Sequence, residues 1–292
     1  MKHDLTAVLI IGQLEKRLNN ILKIVRSVLL EGEWINLIVV FSGENASKDE
    51  KQFKGIFGEP TPRLLTLCCK DNDPGTARFT GSQFVSTSWT VFWDDDDEPL
   101  VKELQDLIRV ANPQRVLVGQ YYTQHNGDID MHERSYTSRQ AELMLDTGLW
   151  RMLIPTDVLL TLHPFASRLG EDKVMLANLL LRGVQFDFVD RPIYIYRKGH
   201  DSLTKNPNFL DGLKSAQAIV SIISKSKSSK QDLIILFFSI IATILKRVQL
   251  HSTLMSLRLL FLLLSKYPLQ VPIALFHYIQ LQISKKIHSH EL

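Results

Sequence analysis

Apolar positions in the first 110 residues follow two alternating rhythms. Ala7–Ile11 is a continuous apolar run stopped by Gly12, and Ile35–Phe41, Arg63–Cys69 and Trp89–Trp93 repeat the form. Runs of that length predict strands covered on both faces. Between the first two, Leu14, Leu18, Ile21, Leu22, Val25, Val28 and Leu29 recur at helical spacing among Glu15, Lys16, Arg17 and Lys23, which predicts a helix over Leu14–Leu30. Gly75–Ser86 reads as a second helix and Pro99–Val110 as a third, with Pro at its first position. Strand and helix in alternation predict an α/β fold with a mainly parallel sheet and helices on both faces.

Later residues are less regular. Arg115–Gln124 suits a strand, Asn126–Arg134 a polar loop, and Trp150–Ile154 a short apolar piece ended by Pro155. Glu171–Arg182 is an amphipathic helix closed by Gly183, and Ile193–Tyr196 a further strand. Ser224–Lys230 reads as a linker. Beyond it, Leu233–Leu245 and Leu254–Leu264 are almost uniformly apolar, with breaks near Pro268 and Pro272. The pattern divides into an α/β body over residues 1–212 and a helical region over 213–292, without an internal repeat.

Charge sharpens that division. The net charge of +3 over 292 residues hides a contrast. Residues 213–292 hold ten basic and two acidic residues (Asp232 and Glu291), a net +8, and the rest of the chain carries −5. Ordinary surface helices show one apolar stripe, whereas these are apolar nearly all round. The reading preferred here is an anchor lying in the plane of an anionic membrane surface, with basic residues meeting lipid headgroups. A bundle packed on the body is the alternative. The longest apolar stretch has 13 residues, and a spanning helix takes roughly 20. With no secretory-signal pattern at the first residues, the expected location is cytoplasmic, peripheral on the inner face of the plasma membrane. Adjacent Cys68 and Cys69 exclude a disulfide framework and, by themselves, a four-ligand zinc site.

Three segments carry candidate chemistry. Phe92-Trp93-Asp94-Asp95-Asp96-Asp97-Glu98-Pro99 places four aspartates at the carboxyl end of a buried strand, the edge where open α/β sheets bind ligands. Carboxylates at i and i+2 can share a hard divalent cation, although acidic residues are also favoured at helix starts for electrostatic reasons. Leu169-Gly170-Glu171-Asp172-Lys173 opens a helix, so its acids serve either as helix-end charges or as a general base. Tyr194-Ile195-Tyr196-Arg197-Lys198-Gly199-His200-Asp201-Ser202 ends a strand in groups that could hold a diphosphate or complete a metal shell, or form a basic surface turn.

In this order the segments resemble family-2 glycosyltransferases of the GT-A fold, particularly bacterial enzymes of surface-polysaccharide synthesis, over roughly residues 5–205. Glu44-Asn45-Ala46-Ser47-Lys48-Asp49 resembles the family's Asp-Asn-Ala-Ser-x-Asp turn, and Gly75–Gly81 its Gly-x-Ala-x-x-Arg-Asn-x-Gly element. Phe92–Asp97 is similar to Phe-Leu-Asp-x-Asp-Asp, Arg151–Pro155 with Leu169–Asp172 to Arg-x-x-Ile-Pro … Gly-Glu-Asp, and Tyr196–Ser202 to Tyr-Arg-x-x-His-x-Ser. Departures are Ile11–Glu15 in place of Pro-Thr-Tyr-Asn-Arg, Glu44 for an Asp that contacts the base, and Phe79 for Asn.

The resemblance implies an inverting, metal-dependent transferase. It would move a sugar from a nucleotide-sugar donor, most simply a UDP-sugar, to a hydroxyl of a glycan or lipid-linked glycan. It assigns donor binding to Glu44, Arg78, Asp94, Asp95, Arg197 and Ser202. A divalent cation (Mn or Mg) falls to Asp96, Asp94 and His200, and proton removal from the acceptor to Asp172, with Glu171 second. No nucleic-acid partner is expected. The competing classes are a sugar-phosphate nucleotidyltransferase, which usually has a Gly-rich basic loop that Gly12-Gln13-Leu14-Glu15 does not supply, and a non-catalytic membrane-associated scaffold.

Overall fold

The computed structural model describes residues 4–125, 127–131, 139–163, 165–198, 209–226, 230–245 and 250–288. The chain forms two compact units with interleaved segments. The first comprises Met1–His132, Leu149–Ala166 and Gln185–Asp201, and the second Glu133–Gly148, Ser167–Val184 and Ser202–Leu292.

In the first unit the apolar runs become strands β1 (Leu5–Ile11), β2 (Ile35–Ser42), β3 (Leu64–Cys69) and β4 (Trp89–Asp94), paired in parallel in the order β3-β2-β1-β4. Side chains alternate faces along each strand. Leu5, Ala7, Leu9 and Ile11 join Leu37, Val39, Phe41, Val91 and Trp93 in the main core with α1 (Leu14–Glu31), through Ile21, Ile24, Val25 and Val28, and α4 (Val101–Val110). Val8 and Val40 face the other way, onto α3 (Pro74–Ser82). There Gly81 allows close approach, because a Cβ at that position would lie 2.4 Å from Val8 Cγ1. Asp73 caps α3 by accepting the Thr76 N–H at 2.7 Å. α2 (Ala46–Phe57) packs on β2 and β3.

The sheet continues through β8 (Met152–Pro155), β6 (Arg115–His125), β9 (Gln185–Arg197) and β5 (Glu98–Pro99), with β7 (Asp128–Met131) folded back on β6. β8 is antiparallel to both β4 and β6. The sheet is therefore parallel over β3-β2-β1-β4 and mixed beyond. Some local expectations change, and the strand expected at Ile193–Tyr196 is the end of a longer β9. Asp128–Met131, read as loop, is a strand. Pro99 does not start a helix: Glu98 and Pro99 pair with Ile195 and Tyr194, and the Leu100 N–H donates to Ile193 O, so the helix begins at Val101. Proline, lacking an N–H, is tolerated in so short an edge strand.

The second unit is helical: α5 (Arg139–Leu145), α7 (Glu171–Leu181), α8 (Phe209–Lys225), α9 (Lys230–Leu245), α10 (Leu250–Lys266) and α11 (Gln270–His288); the short α6 (Thr156–Leu159) belongs to the first. α9 packs against α5, α7, α8, α10 and α11, and Leu233, Ile234, Leu236 and Phe237 are fully buried. Burial inside protein accounts for the uniform apolarity over Leu233–Ile244. The break near Pro268 is observed, whereas Pro272 sits in the first turn of α11, where a helix does not need its N–H. Among the described residues, no helix is long and apolar enough to cross a membrane.

Candidate active site

Parallel pairing brings the ends of β1, β2 and β4 to one edge, since Ile11 lies opposite Phe41 and Ile10 opposite Asp94. Gly12 follows β1, Gly43-Glu44 follow β2, and the acidic turn follows β4. Glu44 is exposed at this edge, and Asp49 of α2 is buried and accepts the Leu14 N–H at 3.4 Å, tying the start of α1 to the β2 turn.

The four aspartates have four different surroundings. Asp94 Oδ1 accepts from Arg78 Nη2 at 2.9 Å, and the guanidinium is buried in α3. Asp96 Oδ2 lies 3.4 Å from Arg17 Nη2 of α1. Asp95 is half-buried and accepts the Gly12 N–H at 3.1 Å. Asp97 is 1% exposed and accepts the Arg197 N–H at 2.8 Å. Burial, then the neighbouring charge of Asp96, pushes Asp95 up to about 7. The same two causes, with Asp94 added, push Asp97 up to about 9, so it is protonated at neutral pH. The Tyr194 hydroxyl beside it accepts the Asp94 N–H at 3.1 Å and is itself held well above its ordinary range by burial. Asp97 is thus turned inward, and Asp95 is half-buried but engaged by the backbone. Asp94 and Asp96 keep side chains 33% and 23% exposed.

Asn20 holds the turn in this shape. Its Nδ2 donates to the carbonyls of Asp95 at 2.8 Å and Asp97 at 2.7 Å, and its Oδ1 accepts from Arg197. Arg197 also pairs with Glu98 and donates from Nε to Gln124 at 2.9 Å. Behind it, Trp150 stacks on Tyr194 and Tyr196 with centroids 4.7 and 5.6 Å apart, and Arg151 lies over the Tyr121 ring. Beside the turn opens a cleft of about 340 Å³ lined by Lys16, Arg17, Asn20, Asp96 and Arg197, among others.

The structure therefore brings together Arg78, Asp94, Asp95, Asp96 and Arg197 of the expected site, with Glu44 on the same sheet edge. His200 and Ser202 lie outside the described residues. Glu171 and Asp172 belong to the second unit, in the first turn of α7. Gly170 before them has φ +83°, and a Cβ there would lie 3.2 Å from both Ile240 and Ser215. Ser215 Oγ donates to Leu169 O at 2.6 Å, and Asp172 Oδ1 accepts the Lys173 N–H at 2.7 Å. Helices α8 and α9 thus fix the turn that carries both carboxylates. Sequence reasoning missed Arg17, Asn20 and Gln124, and had Tyr194 only as part of the strand-end segment, without a role. Arg17 and Asn20 are three apart, one helical turn, and that polar pair inside the α1 pattern was the available signal.

For a divalent cation the donor set is suitable in kind. Asp94 and Asp96 supply hard oxygen ligands two residues apart, with partly exposed side chains. Among the described residues, no three His, Cys, Asp or Glu side chains converge into a complete protein cage. Such an arrangement suits a metal shared with substrate phosphates.

Neither a family model nor a curated protein sequence matches the chain. Solved structures do match. S. aureus TarS 1–349 in complex with UDP-GlcNAc gives a TM-score of 0.64 at 12% identity, covering 88% of this chain and 79% of that one. A longer structure of S. aureus TarS gives 0.66 at 12% identity and covers 97% of this chain but 53% of that one, so this chain spans about half its length. Mannosyltransferase PcManGT from Pyrobaculum calidifontis, in complex with GDP-Man and Mn2+, gives 0.50 at 11% identity, covering 97% and 87%. These likenesses establish the fold as GT-A.

Proposed function

We propose that this chain is a nucleotide-sugar glycosyltransferase of the family-2 type that uses a divalent cation and inverts the anomeric centre. The observation that carries the reading is the sorting of the acidic quartet. At the carboxyl edge of a GT-A sheet, Asp97 is buried and Asp95 is tied to the Gly12 N–H, while Asp94 and Asp96 keep partly exposed side chains, and Asp96 lines a cleft with Lys16, Arg17 and Arg197. The structural neighbours with UDP-GlcNAc and with GDP-Man and Mn2+ support a sugar-nucleotide donor and a divalent cation.

In this reading Asp96, with Asp94, holds Mn2+ or Mg2+. When bound, the cation neutralises charge that develops on the departing diphosphate. Arg78 fixes Asp94 for the donor, Glu44 lies toward the nucleotide, and Arg17 and Arg197 add positive potential at the cleft. His200 and Ser202 belong to the same proposal by resemblance. Asp172, with Glu171 as its alternate, removes the proton from the acceptor hydroxyl. The acceptor is a glycan or lipid-linked glycan in surface-polysaccharide synthesis, met at the anionic inner face of the plasma membrane. Residues 1–212 contain the catalytic machinery, and 213–292 include the membrane-facing part.

The nucleotidyltransferase reading has a specific observation against it. The Gly12 N–H that a phosphate loop would offer to its substrate instead donates to Asp95. A panel of UDP- and GDP-sugars assayed for Mn2+-dependent sugar transfer or hydrolysis tests the proposal. Release of UDP or GDP from at least one donor is expected, and inertness toward all of them, with or without glycan acceptor, would refute it.

A further inference from the structure

Most apolar side chains of the helical unit are accounted for by its core, but α10 and α11 each carry a second apolar face. On α10, Leu259 and Leu263 are buried, Leu262 beside them is exposed, and on the opposite side Leu257, Phe261 and Leu264 are exposed, Phe261 at 72%. The spacing i, i+4, i+7 puts these three on one stripe, away from the buried pair. On α11, Val271 and Ala274 are buried, while Ile273 and Phe276 are exposed, Phe276 at 59%, and continue a stripe begun by Leu269 at 74%. Isolated exposed apolar residues need no explanation, but two stripes on successive helices point to an interaction surface.

Charge decides what covers it. From Leu233 to His290 the sequence contains no Asp or Glu, but it contains Lys246, Arg247, Arg258, Lys266, Lys285 and Lys286. Arg258 and Lys266 are exposed on α10. A second copy of this face would set cations against cations, with no carboxylate in that stretch to answer them. An anionic bilayer answers both features, since its headgroups take the basic side chains and its acyl boundary takes Phe261 and Phe276. We infer that the outer stripes of α10 and α11 are the surface by which this protein lies on an anionic membrane, and that α9 has no part in the contact. The inference rests on the membrane component of the function proposed above and assigns it to named side chains.

The test is flotation of the full chain with vesicles of phosphatidylcholine alone or with about 30 mol% phosphatidylglycerol, wild type against F261E/F276E. Both substituted positions are exposed, so melting and UDP binding are expected to stay as in wild type. Wild type is expected to float with the anionic vesicles and to be only partly released by high salt, because apolar insertion is not screened. The double variant is expected to lose at least tenfold in partitioning. A Phe261→Trp variant is expected to shift to the blue and to be quenched by brominated acyl chains, against four native tryptophans that all lie in the first unit. If the double variant floats like wild type, this face is the wrong one, although membrane binding itself stands. If wild type ignores both vesicle types, membrane binding and this face fall together. If wild type is a dimer in light scattering that F261E/F276E dissociates, a second copy is the occupant. Sugar-nucleotide turnover, read separately, reports on the transferase assignment in every case.

Discussion

Asp97→Asn is the substitution that most directly tests the electrostatics of the acidic turn. Burial and the charges of Asp96 and Asp94 raise the Asp97 pKa from 3.8 to about 9. In the native state the carboxyl therefore keeps its proton over a range where the unfolded chain has lost it. The native state binds more protons, so stability falls as pH rises from the unfolded value near 4 toward 9. At about 1.4 kcal/mol per pH unit, the ceiling at pH 7 is about 4 kcal/mol, and relaxation around the turn reduces this to on the order of 1–3 kcal/mol. Asparagine is the near-isostere of the protonated acid: its Oδ1 can still accept from the Arg197 N–H, and it carries no proton to lose. The assay is urea unfolding followed by tryptophan fluorescence, which reports the first unit, in chelator at about pH 5, 7 and 8.5. The stability difference should move progressively in favour of the asparagine variant as pH rises. A constant deficit of the variant at all three pH values would show that Asp97 is ionised in the fold and would refute the argument.

Two further perturbations probe the second unit. Asp172→Asn keeps an Oδ1 to accept the Lys173 N–H, so UDP binding should be unchanged while transfer falls about 10²–10⁴-fold; loss in Glu171→Gln instead would move the base to Glu171. A chain ending at Ser226 loses α9, whose Leu233, Ile234, Leu236 and Phe237 are worth on the order of 6–12 kcal/mol of burial, comparable with a whole domain's stability of about 5–15 kcal/mol. It should lose helical circular dichroism beyond the deleted residues and aggregate, and a soluble monomer with an intact α7–α8 signal would contradict that.

The parallel half of the fold was legible because its strands are buried on both faces and leave continuous apolar runs, and because α1 and α4 keep clean helical periods. The β5–β9 pairing was not, since it depends on a long-range contact between Glu98-Pro99 and Tyr194-Ile195 that no local pattern encodes. The tail was legible as helical but ambiguous in environment. An all-round apolar helix such as α9 is explained equally by lipid and by protein, and only the packing of α5, α7, α8 and α11 around it decides. At the candidate site, residue types pointed to the carboxylates but not to their different surroundings. The surroundings that distinguish the four include Gly12, Arg197, Tyr194, Arg78 and Arg17, which arrive from other elements. Asn20, which sets the turn, is one polar residue in a helix of mixed composition, and its role is visible only in three dimensions.

In the proposed function, Asp96 and Asp94 at the end of β4 hold a cation for a sugar-nucleotide diphosphate. Isothermal titration of UDP into the full chain, with Mn2+ and then with excess chelator, for wild type and Asp96→Ala, tests it most directly. Mn2+-dependent binding to wild type is expected, lost in the variant, with both proteins melting alike. Equal UDP binding by the two proteins, or binding indifferent to chelator, would contradict it.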